Sequence, residues 1–312
     1  MAETFFLTLS NVGQMLFFMV LGYGLRRTRT LPDNAGNVLS QLCVQVFLPA
    51  YTIINLSKNF TIPMLTEKLQ LFGAGVVFAL VIIAVGYPLA RALGKDPMEK
   101  KSLTYAFTFP NYSYFGYPVV EGVFGNAMLG NFMVFLIPTA LACNTYGYIL
   151  FQDNKKGKFW KLLLSPIVLS QLVGVLVGLS GITLPKILTG TLTAAGNCMS
   201  PCSMLVGGFM LGKFSPRQLL TEARAYLLAA IRMLAIPLVF GSILYLVGVR
   251  GEIMFLATLT VSLPLGMNLV VFPESLGYEE AAQKNARLCF VSYCLALILL
   301  PVTFSLLTKL CM

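Results

Sequence analysis

The sequence lacks histidine altogether and contains few charged residues. Of its 312 residues, one is tryptophan and 11% are Asp, Glu, Lys or Arg, whereas a soluble domain averages about 25% charged residues. The absence of histidine removes the commonest general base and metal ligand, and no long polar stretch is present that would build a separate soluble domain. Together with a hydrophobic content of 57%, these absences predict an integral membrane protein.

The net charge of +10 comes from lysines and arginines that lie between apolar runs. In a soluble protein such a charge would suggest nucleic-acid binding, but here it is typical of cytoplasmic loops that face anionic lipid. We therefore expect the lipid bilayer, and no nucleic acid, as a partner of this protein.

The seven cysteines lie mostly inside the apolar runs. Cys198 and Cys202 are one helical turn apart, but two thiols without a histidine or further cysteines make a poor zinc site. We interpret the cysteines as small buried hydrophobic residues, and we predict no metal site and no cofactor.

Ten apolar runs are long enough to cross a bilayer, at about 20 residues for each crossing. Lysines and arginines are concentrated in the linkers that follow odd-numbered runs, which places these linkers in the cytoplasm and both termini outside. The predicted spans are Phe5–Leu25, Ala35–Leu56, Leu69–Leu93, Leu103–Phe124, Leu129–Phe151, Leu162–Leu179, Ile187–Leu211, Ala225–Val247, Ile253–Phe272 and Ala286–Leu307.

The two halves of the chain match each other in the positions of their prolines. Five spans in residues 1–156 are followed by five more in residues 157–312, and an odd number of spans per half inverts the second half relative to the first. We therefore predict an all-α membrane fold built as an inverted 5+5 repeat. The matched prolines are Pro49 with Pro201, Pro88 with Pro237, and Pro110 with Pro264.

Spans four and nine contain residues that cannot continue a helix. Pro110 and Pro118 interrupt span four, and Pro264 with Gly266 interrupts span nine, because proline lacks the backbone N–H and collides with the preceding turn. Backbone freed in this way is tolerated at membrane depth only inside protein or around a wet cavity. Two broken helices at corresponding places in two halves are the usual signature of a transport site.

Several short motifs resemble the auxin efflux carrier family, and the resemblance covers the whole chain. The family includes plant auxin exporters and bacterial malate or malonate permeases, and it shares its crossed-helix fold with bile acid/sodium symporters. Because the large central loop of many plant exporters is missing, the chain looks like the bacterial permease branch, in the inner or plasma membrane, and the family implies a homodimer. The motifs are Phe47-Leu-Pro-Ala50 in span two, Phe109-Pro-Asn-Tyr-Ser-Tyr-Phe-Gly-Tyr-Pro118 in span four, Ser165-Pro166 in span six and Pro264-Leu-Gly-Met-Asn268 in span nine.

The resemblance implies that the substrate binds where the two broken helices cross. Asn111 and Asn268 match the family's polar crossover positions, and half-helix N-termini carry N–H groups and partial positive charge that suit a carboxylate. We expect these amides and the asparagine side chains to hold the anion, with Ser113 and Met267 beside them. Two alternatives stay open: the freed carbonyls accept a cation, or the asparagines only cap their half-helices.

Polar residues elsewhere in the spans form a second group of candidates. Gln45, Asn144 and Asn197 either line the cavity or make structural hydrogen bonds between helices. Arg232 lies deep within a predicted span, so it is a candidate for coupling or gating; the alternatives are that it snorkels or pairs with Glu222 of the adjacent loop. Glu274 follows the second break and is either a coupling carboxylate or part of the cytoplasmic mouth.

These features predict a secondary transporter of small organic anions, such as malate, that works by alternating access. A sodium-coupled symporter of the same fold is one alternative, and a membrane sensor that binds its ligand without moving it is another. An enzyme is not expected, because no convincing catalytic pair lies inside a span. The coupling ion, either a proton or sodium, the direction of transport and the identity of the acid are not resolved by the sequence.

Overall fold

The computed structural model describes residues 2–152, 166–215, 217 and 222–311, and every regular element within them is a helix. The first half contains α1 (Ala2–Arg27), α2 (Ala35–Leu42), α3 (Leu48–Asn59), α4 (Ile62–Glu67), α5 (Leu69–Leu93), α6 (Pro97–Thr108), α7 (Tyr117–Asn144) and α8 (Tyr146–Ile149). The second half contains α9 (Pro166–Ser180), α10 (Lys186–Asn197), α11 (Met199–Leu211), α12 (Ala223–Ala230), α13 (Ile236–Leu246), α14 (Gly251–Ser262), α15 (Asn268–Ser275) and α16 (Glu279–Cys311). The predicted boundary between the halves, at 156/157, and Ser165 lie outside the described residues.

In the described part of the chain, five helical segments are long and apolar enough to cross a membrane. Two shorter apolar helices, α9 and α14, accompany them. The predicted ninth span falls short of the required length because residues 263–267 separate α14 from α15. An all-helical, multi-pass membrane protein is thus confirmed, whereas the count of ten spans stays a prediction. The five segments are Ala35–Asn59, Leu69–Leu93, Ala127–Ile149, Ala223–Leu246 and Glu279–Leu307.

Three π-helical turns interrupt the described helices, and each is followed by a proline at the same spacing. In an α-helix a proline ring collides with the carbonyl four residues earlier, and in each case that carbonyl falls within the π turn, whose wider path relieves the contact. The local chemistry of proline therefore explains where these helices deviate. The turns and prolines are Cys43–Phe47 with Pro49, Tyr112–Gly116 with Pro118, and Ile231–Ala235 with Pro237.

The helix α7 combines the end of predicted span four with predicted span five. Gly125 inside it has φ 81° and ψ 174°, a backbone conformation that glycine adopts readily and other residues avoid. The helix therefore changes direction at Gly125. This kink coincides with the predicted linker between Phe124 and Leu129.

The two broken segments form the interior of the molecule. Residues 102–113 and 254–274 are buried throughout. The helices around them keep apolar side chains on their outer faces, such as Leu80 of α5 and Leu238 of α13, which are 64% and 62% exposed. Such an outer surface suits contact with lipid tails, which are as apolar as leucine.

Gly174 and Gly178 bring α9 close to α3 within the chain. A Cβ atom on Gly174 would lie 2.8 Å from Leu56 Cβ, and one on Gly178 would lie 2.9 Å from the Leu56 carbonyl oxygen. Small residues spaced by four let helix backbones approach in this way. Gly174 and Gly178 therefore allow close packing of α9 on α3 within one chain, near the end of the second predicted span.

Candidate functional site

Both helix breaks begin at the residue that precedes a proline. Phe109, directly after α6, is extended (φ −111°, ψ 108°) before Pro110. Leu263, directly after α14, is extended in the same way (φ −63°, ψ 149°) before Pro264. Because the proline ring disfavours helical geometry in the residue before it, the same local chemistry ends both helices.

The two breaks meet and pair through their backbones. Pro110 and Leu265 lie opposite each other as an isolated antiparallel bridge, and the Asn111 backbone N–H donates to the Pro264 carbonyl at 2.8 Å. Gly266 permits this approach, because a Cβ atom there would lie only 3.3 Å from the Pro110 carbonyl oxygen. The structure thus brings Pro110, Asn111, Pro264 and Gly266 together at a crossover.

The last helix, α16, contacts both breaks through two neighbouring residues. Asn111 Nδ2 donates to Tyr293 Oη, and the Leu265 N–H donates to Ser292 Oγ at 3.3 Å. Asn111 is 1% exposed and Tyr293 is 0% exposed, so their contact is shielded from solvent. Sequence reasoning missed Tyr293 because it lies in an apolar run 182 positions from Asn111, and no spacing pattern links the two.

Asn268, the first residue of α15, belongs to a compact polar cluster. The Cys143 thiol is within hydrogen-bonding reach of Asn268, Tyr112 and Tyr105, and the distance from Tyr105 Oη to Cys143 Sγ is 3.0 Å. All four residues are buried. Because Cys143 contacts both the start of α15 and the π turn after the first break, the starts of the two half-helices lie close together. The sequence analysis did not predict this role for Cys143 or the tyrosines.

Comparison with known proteins decides the class of this protein. Residues 8–159 and 154–304 match the family model described as a membrane transport protein. The chain belongs to this family. An uncharacterized transporter of Methanothermobacter thermautotrophicus is similar to it, with 24% identity over 296 residues that cover 94% of this chain and 96% of that protein. The resemblance to a carrier family is thereby confirmed at the level of a membrane transport protein, and membership indicates a transporter rather than an enzyme.

Three further residues predicted for the transporter's substrate site are buried. The Ser113 carbonyl accepts a hydrogen bond from Tyr51 Oη at 3.2 Å. Met267 is 0% exposed. Its terminal methyl packs against Gly207, in the space that a Cβ atom on that glycine would need. Asn144 is 4% exposed, and its Oδ1 makes no hydrogen bond to the part of the chain that the structure describes.

Gln45 and Asn197 differ from these residues because both are exposed. The π turn that carries Gln45 packs against α10, which ends at Asn197, and also against α15. The turn that carries Gln45 therefore borders α15 directly, and Asn197 lies at the end of a helix that packs against this turn.

Arg232 is buried against the crossover, with 1% of its surface exposed. Its Nε donates to the Ala106 carbonyl at 3.0 Å, and its Nη1 donates to the Val261 carbonyl. The side chain does not snorkel to the surface, and it does not pair with Glu222, which forms an ion pair with Arg287 instead. Both of these alternatives are therefore wrong.

Glu274 is enclosed in the last turn of α15, with 4% of its surface exposed. Its Oε2 makes no hydrogen bond within the described residues. The positive charges of Lys213 and Arg26 nevertheless stabilise the charged form of the carboxylate. Burial, together with the charge of Arg26, also lowers the pKa of Lys213. Lys213 also forms an ion pair with Glu279, which lines the neighbouring cavity together with Glu280, so both alternatives for Glu274 stay open.

A cavity of about 790 Å³ lies between the first turns of α6, α12 and α16. An ion pair between Arg224 and Glu99 at 2.8 Å contributes to its wall. At its buried end, Asn285 Nδ2 donates to Ser102 Oγ at 3.1 Å and to the Leu269 carbonyl at 2.8 Å. The cavity therefore borders the first broken segment directly, at Ser102 and Leu103, and is connected to the second only through Asn285. Its volume is in the range of small-molecule sites.

Proposed function

We propose that this transporter carries small organic anions, such as malate, and holds the carboxylate where the two broken helices cross. The observation that carries the proposal is the backbone pairing of Pro110 with Leu265, which joins the two breaks in one place. Each break is followed by the N-terminal end of a helical segment, and such ends favour negative charge. Asn111 and Asn268 stand at these ends, where their amides supply further donors.

The proposal includes ten spans arranged as an inverted 5+5 repeat. The breaks at Pro110 and Pro264 are built alike, and the two stretches that match the family model, 8–159 and 154–304, divide next to the predicted boundary at 156/157. These observations support the repeat. The malate or malonate permease branch and the fold shared with bile acid/sodium symporters are proposed from the resemblance of the short motifs alone. The distribution of lysine and arginine supports termini outside the cell.

Alternating access through the cavity is the proposed mechanism. With the termini outside, the cavity between α6, α12 and α16 faces the cytoplasm. Asn285 connects Ser102 of α6 with Leu269 of α15 at its buried end, so a substrate leaving the crossover would pass between the two broken segments. Rocking of one helix bundle against the other would then expose the crossover to either side.

Uptake of labelled malate and malonate into proteoliposomes tests the proposal. Asn111→Ala and Asn268→Ala should each lower uptake by about tenfold or more, because a hydrogen bond to a charged group contributes roughly 1.5–3 kcal/mol. Asn59→Ala is the matched control, since the Asn59 amide donates within its own helix to the Asn55 carbonyl at 2.9 Å. Wild-type uptake by both folded crossover variants would exclude the assigned site, whereas saturable binding without uptake would favour a sensor.

A further inference from the structure

Arg232 contacts the C-terminal ends of both interrupted helices. Ala106 lies in the last turn of α6, which ends at Thr108, and Val261 lies in the last turn of α14, which ends at Ser262. The carbonyls of a last helical turn have no partner within their own helix. One guanidinium therefore satisfies an otherwise unpaired carbonyl on each of the two broken helices.

The charge of Arg232 is matched by backbone dipoles. Within the described residues no Asp or Glu oxygen lies within 4.0 Å of its guanidinium nitrogens, and its side chain is 1% exposed. A helix C-terminus carries roughly half a negative elementary charge. The two ends together thus offset about one positive charge, which Arg232 supplies permanently.

The same two ends are where a transporter with broken helices can hold a coupling cation. Carbonyls of unwound backbone and of half-helix C-termini are the oxygen ligands that coordinate sodium in such folds. In this protein, one carbonyl at each end already accepts a hydrogen bond from Arg232, and a second positive charge beside the guanidinium would be repelled. The N-terminal ends on the other side of each break keep their preference for an anion.

We propose that Arg232 takes the place of a coupling sodium ion between the two half-helix ends, so that the crossover binds no sodium and is held together by a fixed charge. This inference rests on the proposed function only in treating the crossover as the transport site. It makes Arg232 a positioning residue that determines ion dependence. It makes no assumption about which acid is carried.

Sodium binding to the purified full-length protein in lipid nanodiscs tests the inference without any organic substrate. Two measurements are made at constant ionic strength, with sodium replaced by N-methyl-D-glucamine: saturable binding of radioactive ²²Na⁺, and the midpoint of thermal unfolding. The wild-type protein should bind no ²²Na⁺ saturably and should unfold at the same temperature in both salts. Saturable ²²Na⁺ binding to the wild-type protein would overturn the inference.

Three variants separate the proposed role from a merely structural one. Arg232→Gln should lower the unfolding midpoint in N-methyl-D-glucamine and recover part of that loss in sodium, with saturable ²²Na⁺ binding. Arg232→Lys keeps a positive charge and should stay insensitive to sodium. Arg91→Gln, the control, removes an arginine that stacks on Tyr87, 4.7 Å from its ring centroid, and should also stay insensitive.

The result that contradicts the inference differs for each variant. The assignment would be overturned by a folded Arg232→Gln protein that shows neither saturable ²²Na⁺ binding nor a higher unfolding midpoint in sodium. It would also be overturned by an Arg232→Lys protein that binds ²²Na⁺ saturably. If Arg232→Gln does not fold, saturable ²²Na⁺ binding to the wild-type or the Arg232→Lys protein would still overturn the inference. A protein that passes these tests but takes up neither malate nor malonate would refute the proposed substrate and leave the role of Arg232 standing.

Discussion

Replacing Tyr293 with phenylalanine should loosen the crossover by removing a single oxygen atom. Tyr293 Oη accepts a hydrogen bond from Asn111 Nδ2, and neither residue is more than 1% exposed. A buried donor that loses its acceptor costs about 1–3 kcal/mol of stability. The ring itself is retained, including its edge-on contact with Phe115 at 6.0 Å between centroids. We therefore expect Tyr293→Phe to lower the free energy of unfolding by about 1–3 kcal/mol.

Reversible unfolding by SDS in mixed micelles measures this loss. The matched control is Tyr87→Phe, because Tyr87 is 42% exposed and an exposed substitution usually changes stability by less than about 0.5 kcal/mol. A double-mutant cycle with Asn111→Ala isolates the pairwise contribution, for which we expect a coupling of about 1 kcal/mol. In transport assays, Tyr293→Phe should raise the KM for the anion, since the Asn111 amide loses the contact that orients it.

Two results would refute this reasoning. One is an unfolding free energy of Tyr293→Phe that equals that of the wild-type protein. The other is strict additivity of the two single substitutions in the double variant. Either result would mean that the contact between Asn111 and Tyr293 does not stabilise the crossover.

Three other substitutions follow from the packing of the helices and the burial of one carboxylate. Gly75→Ala should lower the free energy of unfolding by about 1–3 kcal/mol, because the new Cβ meets the Phe135 backbone. The control is Gly73→Ala, which has nothing within 4 Å of the new Cβ and should be neutral or raise the free energy of unfolding by up to about 1 kcal/mol. Equal losses of stability for the two variants in SDS unfolding would contradict this account. Gly178→Leu should prevent α9 from docking on α3, so that the monodisperse peak in size-exclusion chromatography is lost; an unchanged elution profile would show that the contact is dispensable. Glu274→Gln should abolish any stimulation of malate uptake by a proton gradient, and a stimulation equal to that of the wild-type protein would exclude Glu274 as the coupling carboxylate.

The helix breaks could be predicted from the sequence because their cause is local. Proline removes an N–H and disfavours helical geometry in the residue before it, so Pro110 and Pro264 mark the ends of α6 and α14 without any knowledge of the neighbours. The change of direction at Gly125 also has a local cause, because glycine tolerates a positive φ, and it coincides with a gap between two apolar runs. The multi-pass helical architecture follows from composition and the lengths of the apolar runs.

The partners of the buried polar groups could not be predicted, because they depend on helices that are distant in the chain. Arg232 donates to carbonyls 126 and 29 positions away, and a backbone carbonyl leaves no trace in the amino-acid sequence. Tyr293 and Cys143 belong to apolar runs, where a hydroxyl or a thiol is indistinguishable from ordinary packing. These contacts become visible only when the packing of the helices is known.

The most direct test of the central claim is uptake of labelled malate, malonate and a monocarboxylate into proteoliposomes, measured with and without gradients of protons and sodium. The account predicts saturable uptake of one of these acids, loss of that uptake in Asn111→Ala and Asn268→Ala, and no requirement for sodium. Absence of uptake for all three acids by intact protein, or full uptake by both asparagine variants, would contradict the proposal that the crossover carries small organic anions.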